Sequence, residues 1–545
     1  MTLPNKRFRR YRSPVNAQVL AFLLTWALPL AAQVNVLTYQ YDNTRAGSNL
    51  SEKTLTPRTV SHTRFGRLFR QSVDGSIYGQ PLYLSNVKIK GKGRHNVVYL
   101  ATEHDSVYAF DADDNQGANA SPLWHMSFID PAKGVTAVPS QDYVRCPAIV
   151  PEIGITSTPV IDPVAHTLYV ESMTKESVGS TVSYIHRLHA VDATTGKERP
   201  GSPVKIEATV PGTGDGTDTV VFIPKNQKER LGLLLANGVV YTAWSSQCER
   251  LEPFHGWMLG YDSKTLHQIA AFNSSPNGAE ASFWESGVAP AADDKGNIFL
   301  ISGNGTFDRT AGGPDLGQSY IRLSAQEGLK LKDYFTPFNV EHLNRHDIDL
   351  GSSGAILLPD DVGSASHPHL MIGSGKEGRI YLLDRDHMGG HSLDSDNQIV
   401  QSLDGAIKKL FGKPTYFNGS VYFCGAGDNL KQFSISDGKL ETRPRSQTED
   451  QFKYPGCVPT VSADGKADAI VWLLESDGAL RAYDASNLEN ELYDSNQEAA
   501  RDTLGAYVNF SVPIVANGKV YAGTQDSLVV YGLLPQTRVS LPHQR

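Results

Sequence analysis

The stretch HDSVYAFDADD (residues 104–114) reads as a strand ending in an acidic turn, and the chain keeps repeating it. Close variants are LHAVDATTG (188–196), MLGYDSKTL (258–266), IYLLDRDHM (380–388) and LRAYDASNL (480–488). Looser versions are YIRLSAQEG (320–328), LKQFSISDG (430–438) and SLVVYGLL (527–534). Each combines β-branched and aromatic residues with an ending that favours a turn. Eight such copies in one chain are the mark of a repeat architecture.

Reading outward from each copy gives a larger unit. A second strand precedes it, as in VVYLATE (97–103), TLYVESM (167–173), VVYTAWS (239–245) and KVYAGTQ (519–525). Ahead of that lies a short segment that often carries proline, such as GQPLY (79–83), STPVI (157–161), GKPTY (412–416) and SVPIV (511–515). A fourth strand follows the acidic turn, as in PLWHMSF (122–128) and HQIAAFN (267–273). Proline cannot donate to a ladder and suits an edge strand, which the innermost strand of a blade is. Asn-Gly at 237, 418 and 517 supplies tight hairpins between first and second strands. Eight four-stranded units of roughly 59 residues predict an all-β, eight-bladed β-propeller over 65–534. The last unit has only three strands, and FGRLFRQSV (65–73) has no blade of its own. Joining the two closes the ring and removes its open edges.

Outside the ring lie residues 34–64, an N-terminal extension, and 535–545, a polar tail. Residues 1–33 carry five basic residues (Lys6, Arg7, Arg9, Arg10, Arg12) followed by VLAFLLTWALPLAA (19–32). This is the pattern of a secretory signal peptide cleaved near Ala32 or Gln33, so the expected location is periplasmic or extracellular. Without that leader, 45 Lys+Arg stand against 58 Asp+Glu, a net charge of −13. Such an acidic chain with no basic block is a poor ligand for nucleic acid. No later stretch is apolar for long enough to span a bilayer.

Loop lengths are uneven in a directional way. Turns after the first and third strands of each unit share one face and are mostly short. Nearly all long insertions, including 129–156, 200–230, 245–256, 303–319, 335–350 and 385–411, fall on the other face. Long loops over a rigid ring are where binding usually sits. Cys146 and Cys248 both fall in these insertions, and Cys424 and Cys457 end strands that meet the same face on adjacent blades. Disulfides 146–248 and 424–457 are the expected pairs, with four buried thiols as the alternative.

The small-Pro-Val inner strand, the Val-Tyr second strand and the Tyr-Asp-Ala turn together resemble the pyrroloquinoline quinone (PQQ) propellers. These are the eight-bladed quinoprotein alcohol dehydrogenases and their cofactor-free relatives. The resemblance covers the chain after about Phe65. It implies PQQ lying on a tryptophan over the central channel, on the long-loop face. It further implies Ca²⁺ or a lanthanide held by Glu, Asn and Asp, with another Asp as base. FWESGVAPAADDKGNIFLISGNGTFD (283–308) resembles the blade that carries the tryptophan and the asparagine. By that match Trp284 would lie under the cofactor and Asn304 would ligate the metal. The alternatives are a tryptophan packed between blades and an asparagine in a tight turn. Glu176, in SMTKESVGS (172–180), occupies roughly the loop of the metal glutamate.

Other parts of the pattern are displaced or missing. Ser324 stands where the turn aspartate is usual, and NRHDIDLGSSG (344–354) offers His346, Asp347 and Asp349 nearby. Asp347 and Asp349 are the candidate catalytic carboxylates. The adjacent-cysteine pair is absent, as is any CxxCH for an attached haem, so no haem is expected. HPH (367–369), HMGGH (387–391) and GTGDGTDT (212–219) read as surface loops. No GxSxG elbow, P-loop or HExxH occurs. The sequence thus points to an exported, quinoprotein-like binding propeller presenting its long loops to a protein or glycan. The alternative is a PQQ- and Ca²⁺-dependent oxidoreductase acting on a small alcohol or sugar.

Overall fold

A computed structural model describes residues 1–2, 33–143, 148–247 and 251–535. The leader and tail readings fall almost wholly on residues outside it, as do Cys146 and Cys248. Eight small, mainly antiparallel sheets follow one another along the chain and form a propeller. Blade 1 shows the plan: Leu82–Ile89, Gly93–Ala101, Ser106–Asp111 and Trp124–Ser127 pair in sequence order. In blade 8 the outer strand is Phe65–Ser72, hydrogen-bonded along Ser527–Leu533, so both ends of the ring share one sheet. Among the described residues no helix is long and apolar enough to cross a membrane.

The core is a set of eight wedges, each between two neighbouring blades. Leu82, Tyr99 and Val107 of blade 1, for example, pack on Ile161, Leu168 and Val191 of blade 2. The closing wedge joins Tyr83, Val98 and Leu100 of blade 1 to Ile514, Tyr521 and Leu528 of blade 8. A strand with both faces buried explains the apolar runs in the repeat.

The repeated turn now has a physical explanation. Its aspartate accepts backbone N–H bonds from residues two or three further on, as Asp111 does from Asp113 and Asp114 and Asp192 from Thr194. Such Asx turns reverse the chain tightly. The carbonyl just after that aspartate receives the tyrosine hydroxyl of the preceding blade. Tyr99 Oη donates to Ala193 O at 3.0 Å, Tyr169 to Ser263 O at 2.7 Å, Tyr422 to Ala485 O at 2.7 Å and Tyr521 to Ala112 O at 3.1 Å. The Val-Tyr and Asp-Ala signatures are therefore two halves of one blade-to-blade latch. In blade 4, Ser324 Oγ accepts the Glu327 N–H and does the aspartate's work at the turn. At the Asn-Gly hairpins both residues have positive φ (52° and 77° at Asn237–Gly238), the geometry of a type I′ turn.

The N-terminal extension closes the short-turn end of the central channel as a strap. Val36 pairs with Tyr83 of blade 1, and Leu37 O accepts from Ile161 N of blade 2. Asn43 donates to Leu235 O of blade 3 and accepts from Ala292 N of blade 4. Thr44, Ala46 and Gly47 carbonyls accept from Leu357, Tyr416 and Val461 of blades 5, 6 and 7. Asn49 then donates to Val515 O of blade 8. Inner strands have one unpaired edge, and the strap satisfies it on every blade in turn. Its hub is Arg45, fully buried, whose guanidinium donates to Pro290 O, Thr38 Oγ1, Tyr39 O and Asp42 O. Tyr39 fills the channel above it with Val288, Ala289, Val458 and Val512.

Candidate functional site

The opposite end of the channel opens into a cavity of about 1100 Å³ among the long loops. Its walls come from the insertions at 129–156, 200–230, 245–256, 303–319 and 335–350. One wall is built on Trp284. The backbone just after it is strained, with Glu285 and Ser286 at φ 33° and 51°, followed by Gly287 at 92°. Left-handed, non-glycine backbone costs energy and marks positions that the surroundings over-determine. Here Glu285, fully buried, holds the turn by accepting from Ile301 N at 2.7 Å. Burial pushes its carboxyl up to about 8, against the pull of Arg45 in the strap.

Trp284, Asn304, Asp347 and Asp349 all reach this cavity. Asn304 Nδ2 donates to Asp347 Oδ1 at 2.9 Å, and its backbone N–H to Asp349 Oδ1 at 2.9 Å. Lys376, absent from the sequence reading, ties them together. Its Nζ lies 3.0 Å from Asp347 Oδ1, 2.6 Å from Asp349 Oδ2 and 5.7 Å from the centre of the Trp284 ring. Burial raises the Asp349 pKa although Lys376 pulls it down. For Lys376, burial acts downward, and the two aspartates outweigh it and hold the ammonium above its usual range. Asp349 is buried, whereas the Asp347 side chain is 61% exposed.

Glu176 is placed elsewhere. The second and third strands of blade 2 extend to twelve residues each, Thr167–Val178 and Thr181–Asp192, and carry Glu176 toward the hairpin tip. There it forms an ion pair with Arg187 and does not line the cavity. His346 turns back on its own short helix, its Nδ1 donating to His342 O. Cys424 and Cys457 are joined by a disulfide, Cα–Cα 5.3 Å, linking blades 6 and 7 on the long-loop side. His367 and His369 pair with Asp384 and Asp386 at the turn of blade 5.

Two further cations line the cavity. Arg230 lies between the rings of Tyr78 and Phe510, 5.4 and 5.1 Å from their centres. Lys228 is buried beside it, and burial, reinforced by Arg230, brings its ammonium down to about 8. Neither forms an ion pair among the described residues. Both belong to one extended stretch, QKER (227–230), read from the sequence only as a loop.

The ligands implied by the quinoprotein resemblance can be tested against this geometry. A flat anionic molecule fits: the half-buried Trp284 lines the space, and Lys228 and Arg230 stand in it without carboxylate partners among the described residues. A divalent metal at Asn304 does not. Lys376 already pairs with both Asp347 and Asp349, the Asn304 carbonyl accepts from Gln318 Nε2, and Glu176 does not line the cavity.

No protein-family profile matches the sequence, and no curated protein matches it. Solved structures do. The quinohemoprotein alcohol dehydrogenase of Pseudomonas putida HK5 aligns over 94% of this chain and 82% of its own, with TM-score 0.56 and 13% identity. That of Comamonas testosteroni aligns over 93% and 82%, with TM-score 0.54 and 14% identity. A europium-containing methanol dehydrogenase aligns over 92% and 98%, with TM-score 0.56 and 12% identity. The chain has the eight-bladed propeller fold of the quinoprotein dehydrogenases.

Proposed function

We propose that this chain is a quinoprotein-like binding propeller whose mouth cavity takes a flat, multiply anionic small molecule. The observation that carries the reading is the convergence of Trp284 with Lys228 and Arg230, neither ion-paired among the described residues, on one concave space. Concave, partly aromatic sites with few placed charges suit small molecules better than flat macromolecular surfaces. PQQ is the molecule of that description that the sequence resemblance names, and when bound it supplies redox chemistry. Trp284 would take its ring face, and Arg230 and Lys228 its carboxylates. No step is routed through calcium, because Lys376 holds the aspartates a metal would need. The basic-then-apolar leader supports an exported location.

A second reading, dehydrogenation of an alcohol or sugar, is favoured by Asp347. Its carboxylate faces the cavity, oriented by Asn304 and Lys376, and is exposed enough to accept a hydroxyl proton. Calorimetric titration with PQQ, with and without Ca²⁺, tests the main reading. Calcium-independent binding that weakens about tenfold in Trp284→Ala supports it. Absence of binding under both conditions overturns it and returns the long-loop face to a protein or glycan partner. A strict calcium requirement would restore a metal to the site.

A further inference from the structure

We propose that Glu171, His186 and Glu229 form a binding site for one divalent transition-metal ion, separate from the mouth cavity. One ligand atom from each of the three side chains lies within 4.8 Å of the other two. Glu171 and His186 are fully buried and Glu229 is 1% exposed, in the wedge between blades 2 and 3. Glu229 sits in the strand Gln227–Glu229, between two cavity cations. Side chains alternate along a strand, so Lys228 and Arg230 face the cavity while Glu229 points behind its wall.

The hydrogen bonds leave a gap that a cation fills. Both ring nitrogens of His186 face acceptors: Nε2 lies 3.2 Å from Pro224 O and Nδ1 lies 3.1 Å from Glu171 Oε1. A neutral imidazole has one N–H, and giving it to Pro224 O leaves the Nδ1 lone pair directed at a carboxylate. Metal-bound histidines typically donate their second nitrogen to a backbone carbonyl in this way. Glu229 Oε2 is buried with no hydrogen-bond partner among the described residues. The other carboxylate oxygens are already oriented. Trp244 Nε1 donates to Glu171 Oε1 at 2.7 Å, Thr242 Oγ1 donates to Glu171 Oε2, and Ser157 donates to Glu229 Oε1.

Charge and spacing agree with a divalent ion. Two carboxylates and a neutral imidazole sum to −2, which one divalent ion balances. Bonds of about 2.0–2.1 Å in a tetrahedral site put ligand atoms about 3.3 Å apart, close to the Nδ1–Oε1 separation. Three protein ligands of mixed N and O type with a fourth position left for water suit zinc.

The test uses the full chain, stripped with EDTA and titrated with Zn²⁺ or Co²⁺. The expected result is one ion per chain by elemental analysis, the visible bands of four-coordinate Co²⁺, and a higher unfolding temperature with metal. Glu229→Gln and His186→Gln should weaken Zn²⁺ binding by more than the about 10–100-fold that loss of a second-shell group costs. His95→Gln, in a histidine–carboxylate pair of blade 1, should leave stoichiometry unchanged. The cobalt spectrum reads the wild-type site even if a variant fails to fold. Wild type that binds neither ion, with Glu229→Gln at least as stable, overturns the proposal: Glu229 is then simply protonated in the folded chain. Undiminished binding in both variants overturns it as well, placing the ion elsewhere.

Discussion

The two ends of the channel solve opposite problems. At the short-turn end, one irregular segment supplies a partner to every inner strand and buries a guanidinium that donates to four oxygens. At the long-loop end, two cations, a tryptophan face and an exposed carboxylate stand around open space. The first end pairs the inner-strand backbone of every blade, whereas the second leaves two cations, Lys228 and Arg230, without carboxylate partners among the described residues. A ring of near-identical blades can afford such a shortfall because its other end is tied down.

The largest effect should come from breaking the tied end. Arg45→Ala removes the hub of the strap and strands four buried acceptors. We expect a loss of about 3–5 kcal/mol, read as a lower denaturant midpoint. Cys424→Ser with Cys457→Ser comes next. That disulfide fastens two blades on the long-loop side, where no strap reaches, and its loss should cost about 2–4 kcal/mol by the same measurement.

The third prediction concerns pH. Glu103 and Glu285 are buried acids raised, chiefly by burial, to about 7 and about 8 from 4.5. They bind more protons folded than unfolded, so the stability they contribute is whole below 4.5 and is lost as pH rises through 7–8. Lys228 runs the other way: lowered from 10.5 to about 8, its contribution is present above 10.5 and lost as pH falls through 8. A stability minimum near pH 8 follows. Glu285→Gln should flatten the acid side of that minimum by on the order of 1–2 kcal/mol. Unfolding midpoints measured across that range check both statements. The smallest effect belongs to a single latch: Tyr99→Phe removes one bond to Ala193 O and should cost about 1 kcal/mol, with ligand binding unchanged.

The ring was legible in the sequence because its periodicity is carried by side chains that pack. Asp, Tyr, Pro and Asn-Gly recur where turn, latch, edge and hairpin each require them. The strap was not legible. It contacts the blades mainly through backbone atoms, which leave no pattern in residue type, so residues 34–64 read only as an extension. Site residues divide similarly. Trp284, Asn304, Asp347 and Asp349 could be named from their places in a repeat. Lys228, Arg230 and Lys376 looked like ordinary loop charges, since only closure of the ring brings blades 3, 4 and 5 to one mouth. Glu176 was misplaced for a geometric reason: twelve-residue strands in blade 2 carry it past the position its spacing suggests.

The strap also sets a condition on how the chain matures. Its partners are spread over the whole sequence, and Val34 meets Asn517 across 483 residues. The segment made first thus has no complete set of partners until the segment made last has joined blade 8. Contacts of such separation delay folding, because chain closure must precede their reward. A chain lacking its final blade would leave Val34 without Asn517 and Asn49 without the Val515 carbonyl. The strap's set of bonds is thereby complete only when all eight blades are present.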